Sequence, residues 1–216
     1  MSGYSRLIEP GSPQWWEARR GAITASRAPA LMRRKKNGEP YADYHNMIAK
    51  IAVERIADFT IGTFVTPAME RGTELEPRAL EAYALERMCI VGASEFVFHP
   101  TLPKVGATPD GFVGDDGLVQ TKVFTDMMRH IDLLKNREKS NTFDDYKWQL
   151  AYELFCCPNR KWNDLAGYCP EMPPNLRLSI VRLERDEGMM EQIAAAIEEA
   201  EEYIQRTARD LEALTP

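Results

Sequence analysis

GFVGDDGLVQTKV, residues 111–123, is the stretch that decides the fold. Two apolar runs flank an Asp-Gly turn signal, which predicts a β-hairpin. Side chains alternate along the second strand, so Leu118, Gln120 and Lys122 share one face and Val119, Thr121 and Val123 share the other. The second set reads as the core face, which leaves an amide and an ammonium on one side of an otherwise apolar strand. Asp110, in the preceding ATPDG, lies close enough across the hairpin to join them. A carboxylate, an amide oxygen and a lysine converging at one strand edge suit a hard divalent cation with an ammonium beside it. Phosphodiester hydrolysis uses such a group: oxygen ligands hold the ion against a phosphate oxygen, and lysine orients the nucleophile and offsets developing charge.

Working outward, the chain of 216 residues, 44% hydrophobic and 28% charged, fits one domain with a real core. No apolar run approaches the roughly 18 to 20 residues of a membrane span, and MSGYSRLIEP lacks the apolar centre of a leader peptide, so a cytoplasmic protein is expected. Cys89, Cys156, Cys157 and Cys169 show neither CxxC spacing nor nearby histidines, which points to reduced, mostly buried thiols. A net charge of -6 argues against a uniformly nucleic-acid-binding surface, yet the average hides an uneven distribution. Residues 19–36 concentrate Arg19, Arg20, Arg27, Arg33, Arg34, Lys35 and Lys36, whereas Glu184 to Glu212 is strongly acidic.

Ser12-Pro13 opens a first helix that Gly21 ends, with Thr24 or Ser26 as the N-cap of the next. Residues 41–56 carry Ile48, Ile51, Ala52 and Ile56 on one helical face, and residues 67–88 form a long helix with Leu75, Leu80, Tyr83 and Leu85 inward. Short β-type runs follow to Thr125, then a helix over 143–157, a strand in RLSIVRLERD and a long amphipathic helix over 187–213. That order predicts an α/β (α+β) domain, a mixed sheet flanked by helices.

Each residue singled out has a plainer reading. Asp110 is a common turn residue, and Gln120 with Lys122 could be the solvated face of an edge strand. The histidines at 45, 99 and 130 are too scattered for a metal cluster. Trp15-Trp16 reads as core and interface rather than as a base-stacking platform.

The pattern Pro109-Asp110, nine residues, position 120, one residue, Lys122 resembles the PD-(D/E)xK nuclease signature. Five blocks in order, WWEARRGAITAS, RGTELEPRALEAY, TPDGFVGDDGLVQTK, YKWQLAYELF and SIVRLERDEGMMEQI, are similar to the phage lambda exonuclease group, also called YqaJ-like viral recombinases. The resemblance covers nearly the whole chain, residues 1–216 as one nuclease domain, and implies a restriction-endonuclease-like core.

That resemblance implies a role for each matching residue. Asp110 is similar to the metal-bridging aspartate, position 120 to the second metal carboxylate and Lys122 to the catalytic lysine. The main-chain carbonyl of Thr121 would also ligate. Glu74, in RGTELEP, resembles the helix glutamate that completes a second metal site, and Gln149, in WQLAYELF, the glutamine that closes the site. Arg19, Ser26 and Thr108 resemble the group that holds a terminal 5′-phosphate, with Arg33 and Arg34 of the basic loop supplying another phosphate contact.

The implied activity is 5′-to-3′ digestion of one strand of duplex DNA, leaving 3′ single-stranded tails for recombination. Mg²⁺ is the implied cofactor, two ions with Mn²⁺ as a substitute, and the implied assembly is a homotrimeric ring in a phage-infected bacterial cell with a single-strand annealing partner. Gln120 departs from the pattern, which has Glu there. The expectation is a disarmed nuclease, with a PD-(D/E)xK endonuclease or a catalytically silent DNA-end-binding protein as the other readings.

Overall fold

The computed structural model describes residues 8–57, 59–62 and 66–214. Residues 1–7, which carry most of the leader-peptide expectation, lie outside them. Helices α1 (Pro13–Arg19), α2 (Ala28–Met32), α3 (Ala42–Ile56) and α4 (Pro67–Arg87) come first, interrupted by β1 (Ile23–Thr24). Five strands follow: β2 (Val91–Gly92), β3 (Val97–Phe98), β4 (Val105–Ala107), β5 (Gly111–Val113) and β6 (Gly117–Val123). Then come α5 (Met127–Asn136), α6 (Asn141–Cys156), β7 (Trp162–Tyr168), β8 (Leu178–Glu184) and α7 (Glu187–Glu212).

Five strands form the main sheet in the order β2-β5-β6-β7-β8. Within this sheet β6 and β7 run parallel, joined by the α5–α6 crossover such a pair requires, and the other neighbours are antiparallel. A second sheet, β1-β4-β3, pairs Ile23 and Thr24 in parallel with Val105 and Gly106. The architecture is the mixed sheet with flanking helices that the sequence predicts.

Both faces of β6 are covered, which corrects the reading of one core face and one open face. Leu118 and Val119 are each fully buried. Tyr83 of α4 packs on one side with Val119 and Ala166, and Leu118 packs on the other with Ala151 and Leu154 of α6. Gln120 therefore lies in a central strand and is 4% exposed, not on a solvated edge.

The hairpin turns through Gly114 at φ +53°, not through the Asp-Gly pair. Gly117 is instead the first residue of β6, where a Cβ would lie 2.2 Å from the Trp162 ring. Beyond the sheet, α7 lays Ile193, Ile197, Ala200 and Ile204 against Tyr44, Met47, Ile48 and Ile51 of α3. Ile56 and Leu85, expected inward, are 39% and 73% exposed. Leu85 lies two residues, about 200° around α4, from the buried Tyr83, so it faces away from the core. The four cysteines are free thiols, three buried and Cys89 half-buried. Among the described residues no helix is long and apolar enough to cross a membrane.

Candidate active site

Pro109-Asp110-Gly111 links β4 to β5, and its geometry is pinned from both sides. The Ser94 hydroxyl donates to the Pro109 carbonyl at 2.7 Å. Gly111 lets β2 approach so closely that a Cβ there would meet Val91 at 2.2 Å. Asp110 is thereby held against the middle of β6. One of its oxygens, Oδ2, accepts from Gln120 Nε2 at 2.6 Å, from the Thr121 main-chain N–H at 2.7 Å and from Thr121 Oγ1 at 2.8 Å. Thr121 thus contributes an N–H and a hydroxyl to the aspartate.

Gln120 turns its NH₂ to Asp110, which leaves its Oε1 buried without a hydrogen-bond partner among the described residues. A buried unpaired acceptor costs about 1–3 kcal/mol, so this oxygen marks a place suited to a ligand that accepts its lone pairs. Lys122, half-buried, points its Nζ over the Tyr146 ring at 5.3 Å from the centroid. Its positive charge reaches two acids, the half-buried Glu76 and the fully buried Glu153.

Glu76, rather than Glu74, is the helix carboxylate at this site. Glu74 is exposed, whereas Glu76 is half-buried and lines a cleft of about 430 Å³ with Asp110, Leu80, Val91 and Ser94. The two glutamates are separated by about 200° around the helix, so only one can face the sheet. Burial, and next the charge on Asp110, together push the Glu76 carboxyl up to about 7, with Lys122 opposing. The motif RGTELEP holds both glutamates; the signal that separates them is the buried phase of α4, Ala79 and Tyr83, with Glu76 three residues before Ala79.

Gln149 lies half-buried on α6 and donates from Nε2 to Glu153 Oε1 at 3.0 Å. Glu153 is fully buried, and burial, reinforced by Asp110, pushes its carboxyl up to about 8 against the Asn163 hydrogen bond.

The donors fit a hard divalent cation in kind: one aspartate, the orphaned Gln120 oxygen, the Thr121 carbonyl and the Glu76 carboxyl are all oxygens. They fall short in charge. Among the described residues no three of His, Cys, Asp and Glu converge closely enough to hold a metal. An ion there would depend on the amide, the main chain and water.

A second constellation adjoins the first. Arg19 Nη2 donates to Ser26 Oγ at 3.2 Å, and its guanidinium lies 4.3 Å from the Trp15 ring centroid. Trp15 Nε1 in turn donates to Thr108 Oγ1 at 3.0 Å, which ties α1 to the strand connection bearing Asp110. Trp15 is half-buried and joins these groups, whereas Trp16 is 47% exposed. Sequence reasoning assigned Trp15 to packing, because nothing in WWEARR says which indole meets Thr108.

Burial first, and then the neighbouring Arg27, lower Arg19 to about 10, against the pull of Glu54. Arg27 itself pairs with Glu54 at 3.2 Å. A guanidinium among a hydroxyl, a ring and another cation is a site short of negative charge. The helix-start reading of Ser26 gives way: Ser26 sits in a short 3-10 turn, and α2 has five residues, so the donors here are side chains.

The basic loop splits. Arg34 is taken up by the Leu31 carbonyl at 2.6 Å, Glu199 at 3.3 Å and the Tyr44 ring, which anchors the loop to α7. Arg33 is exposed. Of the pair, Arg33 is the residue left to meet an outside phosphate.

The sequence profile of the YqaJ-like viral recombinase domain matches residues 14–160. Among solved structures, an alkaline exonuclease (LHK-Exo) from Laribacter hongkongensis is 29% identical with a TM-score of 0.76, covering 94% of this chain and 100% of that one. LHK-Exo in complex with dAMP is 30% identical over the same shares with a TM-score of 0.77. A phage-related exonuclease from Haemophilus somnus 129PT shares the fold at 12% identity, with a TM-score of 0.73 over 88% of this chain and 96% of that one. No curated protein matches the chain. With Asp110, position 120 and Lys122 gathered on one strand pair and the profile spanning them, the chain belongs to the YqaJ-like viral recombinase domain family.

Proposed function

We propose that this protein is built as a 5′-to-3′ exonuclease on duplex DNA, leaving 3′ single-stranded tails for phage-type recombination, and that Gln120 suppresses its hydrolytic step. The observation that carries the reading is the position of Thr108 and Asp110 on either side of Pro109. This places an anion-hungry cluster, Arg19, Ser26 and Thr108 braced by Trp15, within two residues of a carboxylate–amide–lysine group. A phosphate-ended strand could be held at the first and cut at the second. Support also comes from LHK-Exo, an alkaline exonuclease of similar length and fold.

In this reading Arg19 and Ser26 bind the 5′-phosphate, Thr108 completes that pocket, and Arg33 meets the backbone outside it. Asp110, Glu76, the residue at 120 and the Thr121 carbonyl would hold Mg²⁺, or Mn²⁺ in its place, with two ions when residue 120 is Glu. Such an ion supplies Lewis-acid polarisation of the phosphate and an acidified water. Lys122 contributes an ammonium beside the charge that develops on phosphate oxygens, and the Gln149 oxygen accepts from the attacking water. Closure of three copies around DNA, with acid outside and base within, would reconcile a net charge of -6 with a polyanionic substrate. A single-strand annealing protein would take the tail.

The amide at 120 favours a second reading, a catalytically silent DNA-end-binding protein, because Gln120 already neutralises the aspartate's demand for a donor. One comparison separates them. Q120E should gain Mg²⁺-dependent digestion of linear 5′-phosphorylated duplex and leave closed circles intact. No gain sinks the exonuclease reading in favour of the silent one, and cleavage of circles turns it into an endonuclease.

A further inference from the structure

One buried acid is not needed by any ligand set above. Glu153 is fully buried on α6, the helix that covers the Leu118–Gln120–Lys122 face of the sheet. Its two oxygens meet two amides: Oε1 accepts from Gln149 Nε2 at 3.0 Å and Oε2 from Asn163 Nδ2 at 2.7 Å. Asn163 cannot yield, because the same Nδ2 also donates to the Leu150 carbonyl at 3.2 Å and its backbone pairs with Leu118 and Leu183 in the centre of the sheet. Glu153 is therefore clamped from below.

Above it stands Gln149, one helical turn away on the same face and half-buried. A glutamine amide has nearly equal shape in its two orientations, so only its hydrogen bonds decide which end points where. With the NH₂ held inward by Glu153, the oxygen is the end α6 presents outward. Burying an acid is costly, and apolar side chains at 149, 153 and 163 would have filled the same space with no polar group to satisfy.

We infer that Glu153 is a positioning residue for the hydrolytic site: anchored on Asn163, it fixes the Gln149 amide so that its oxygen, an acceptor for a water's proton, faces the Asp110–Gln120–Lys122 group. The inference rests on the proposed hydrolytic reading. The charged and titratable groups around the carboxyl are Asp110, which raises it, Lys122, which lowers it, and on its own helix Cys156, with Cys157 just beyond its end, both of which it raises.

The test has two arms. In the parent chain, the Gln149 side-chain NH₂ should be protected from hydrogen exchange by NMR, assigned by its loss in Q149A, and should lose that protection in E153Q. Gln at 153 offers one oxygen to two donors, so one is released. If E153Q does not fold, Glu153→Met, which keeps the volume and removes both acceptors, must give the same loss. Unchanged Gln149 protection in the folded variant overturns the inference whether or not the protein is a nuclease.

In the Q120E background, E153Q and Q149A should each lower kcat about tenfold with KM for DNA within about twofold, and the double variant should fall no lower than the worse single, within about twofold. Losses that multiply, or an E153Q variant with full kcat, overturn it. A Q120E chain without activity refutes the hydrolytic reading instead and leaves the exchange arm to decide the role of Glu153.

Discussion

Replacing Gln120 by glutamate should make the metal-free protein less stable and make its stability depend on a divalent cation. The amide nitrogen stands 2.6 Å from Asp110 Oδ2, and a carboxylate there would put oxygen against oxygen. The lost hydrogen bond to a charged group is worth about 1.5–3 kcal/mol, and like charges some 4 Å apart repel by about 4 kcal/mol at an effective dielectric of about 20. The protein would not bear the whole sum, since taking up a proton at pH 7 costs about 4 kcal/mol and lets the new carboxyl O–H donate to Asp110 in the amide's place, which caps the net loss near that figure. A net loss of about 3–4 kcal/mol lowers Tm by roughly 6–16 °C for a chain of this size. A bound cation offsets the repulsion and restores about 2.7 kcal/mol when present at about 100 times its Kd. The assay is thermal melting of parent and Q120E at pH 7, in chelator and across a Mg²⁺ titration. Equal melting temperatures in chelator, or an equal Mg²⁺ response in both chains, would refute the reasoning.

Other expectations follow from the same geometry. In the Q120E background, E76Q should abolish Mg²⁺-dependent cleavage while E74Q changes it less than about twofold, because only Glu76 faces Asp110; equal losses in the nuclease assay would return the role to Glu74. R19A should weaken binding of 5′-phosphorylated ends at least about tenfold and leave 5′-hydroxyl ends nearly unchanged, as read by fluorescence anisotropy. Glu153 is pushed from the usual 4.5 to about 8, so its contribution to stability is full below about pH 4.5 and drains as pH rises to 8. E153Q should therefore flatten a decline on the order of a few kcal/mol in urea-melt stability across that window, and an unchanged slope counts against it. G117A should cost at least about 2 kcal/mol, because the new Cβ would lie 2.2 Å from the Trp162 ring; an unshifted urea midpoint would show that the ring yields freely.

What sequence reading missed shares a physical cause. Strand β7, WNDLAGY, carries Asn, Asp and Gly, which strands disfavour, and the sequence predicts no element there, yet it is the strand on which the parallel pairing rests. Its polar residues are buried with their partners: Asn163 with Glu153, and Asp164 with Tyr83 and Arg182. Those partners lie 10 to 81 residues away, so no local pattern reveals them. Helix α5 escaped notice for a related reason: it has an apolar stripe ending in Leu133, but it is short and its neighbours come from β7, β8 and α6.

Sequence by itself determined the hairpin, the mixed α/β class, the approach of Asp110 to position 120, and the family, because these depend on short spacing and two-residue alternation. Tertiary structure alone decided which of two glutamates in RGTELEP meets the aspartate, which of two tryptophans braces Thr108, and that Arg34 serves α7. It also showed Gln120 to be a buried donor to Asp110 with its own oxygen orphaned. Such choices turn on helical phase and on burial against distant elements, and both arise only when the sheet has its helices on each face.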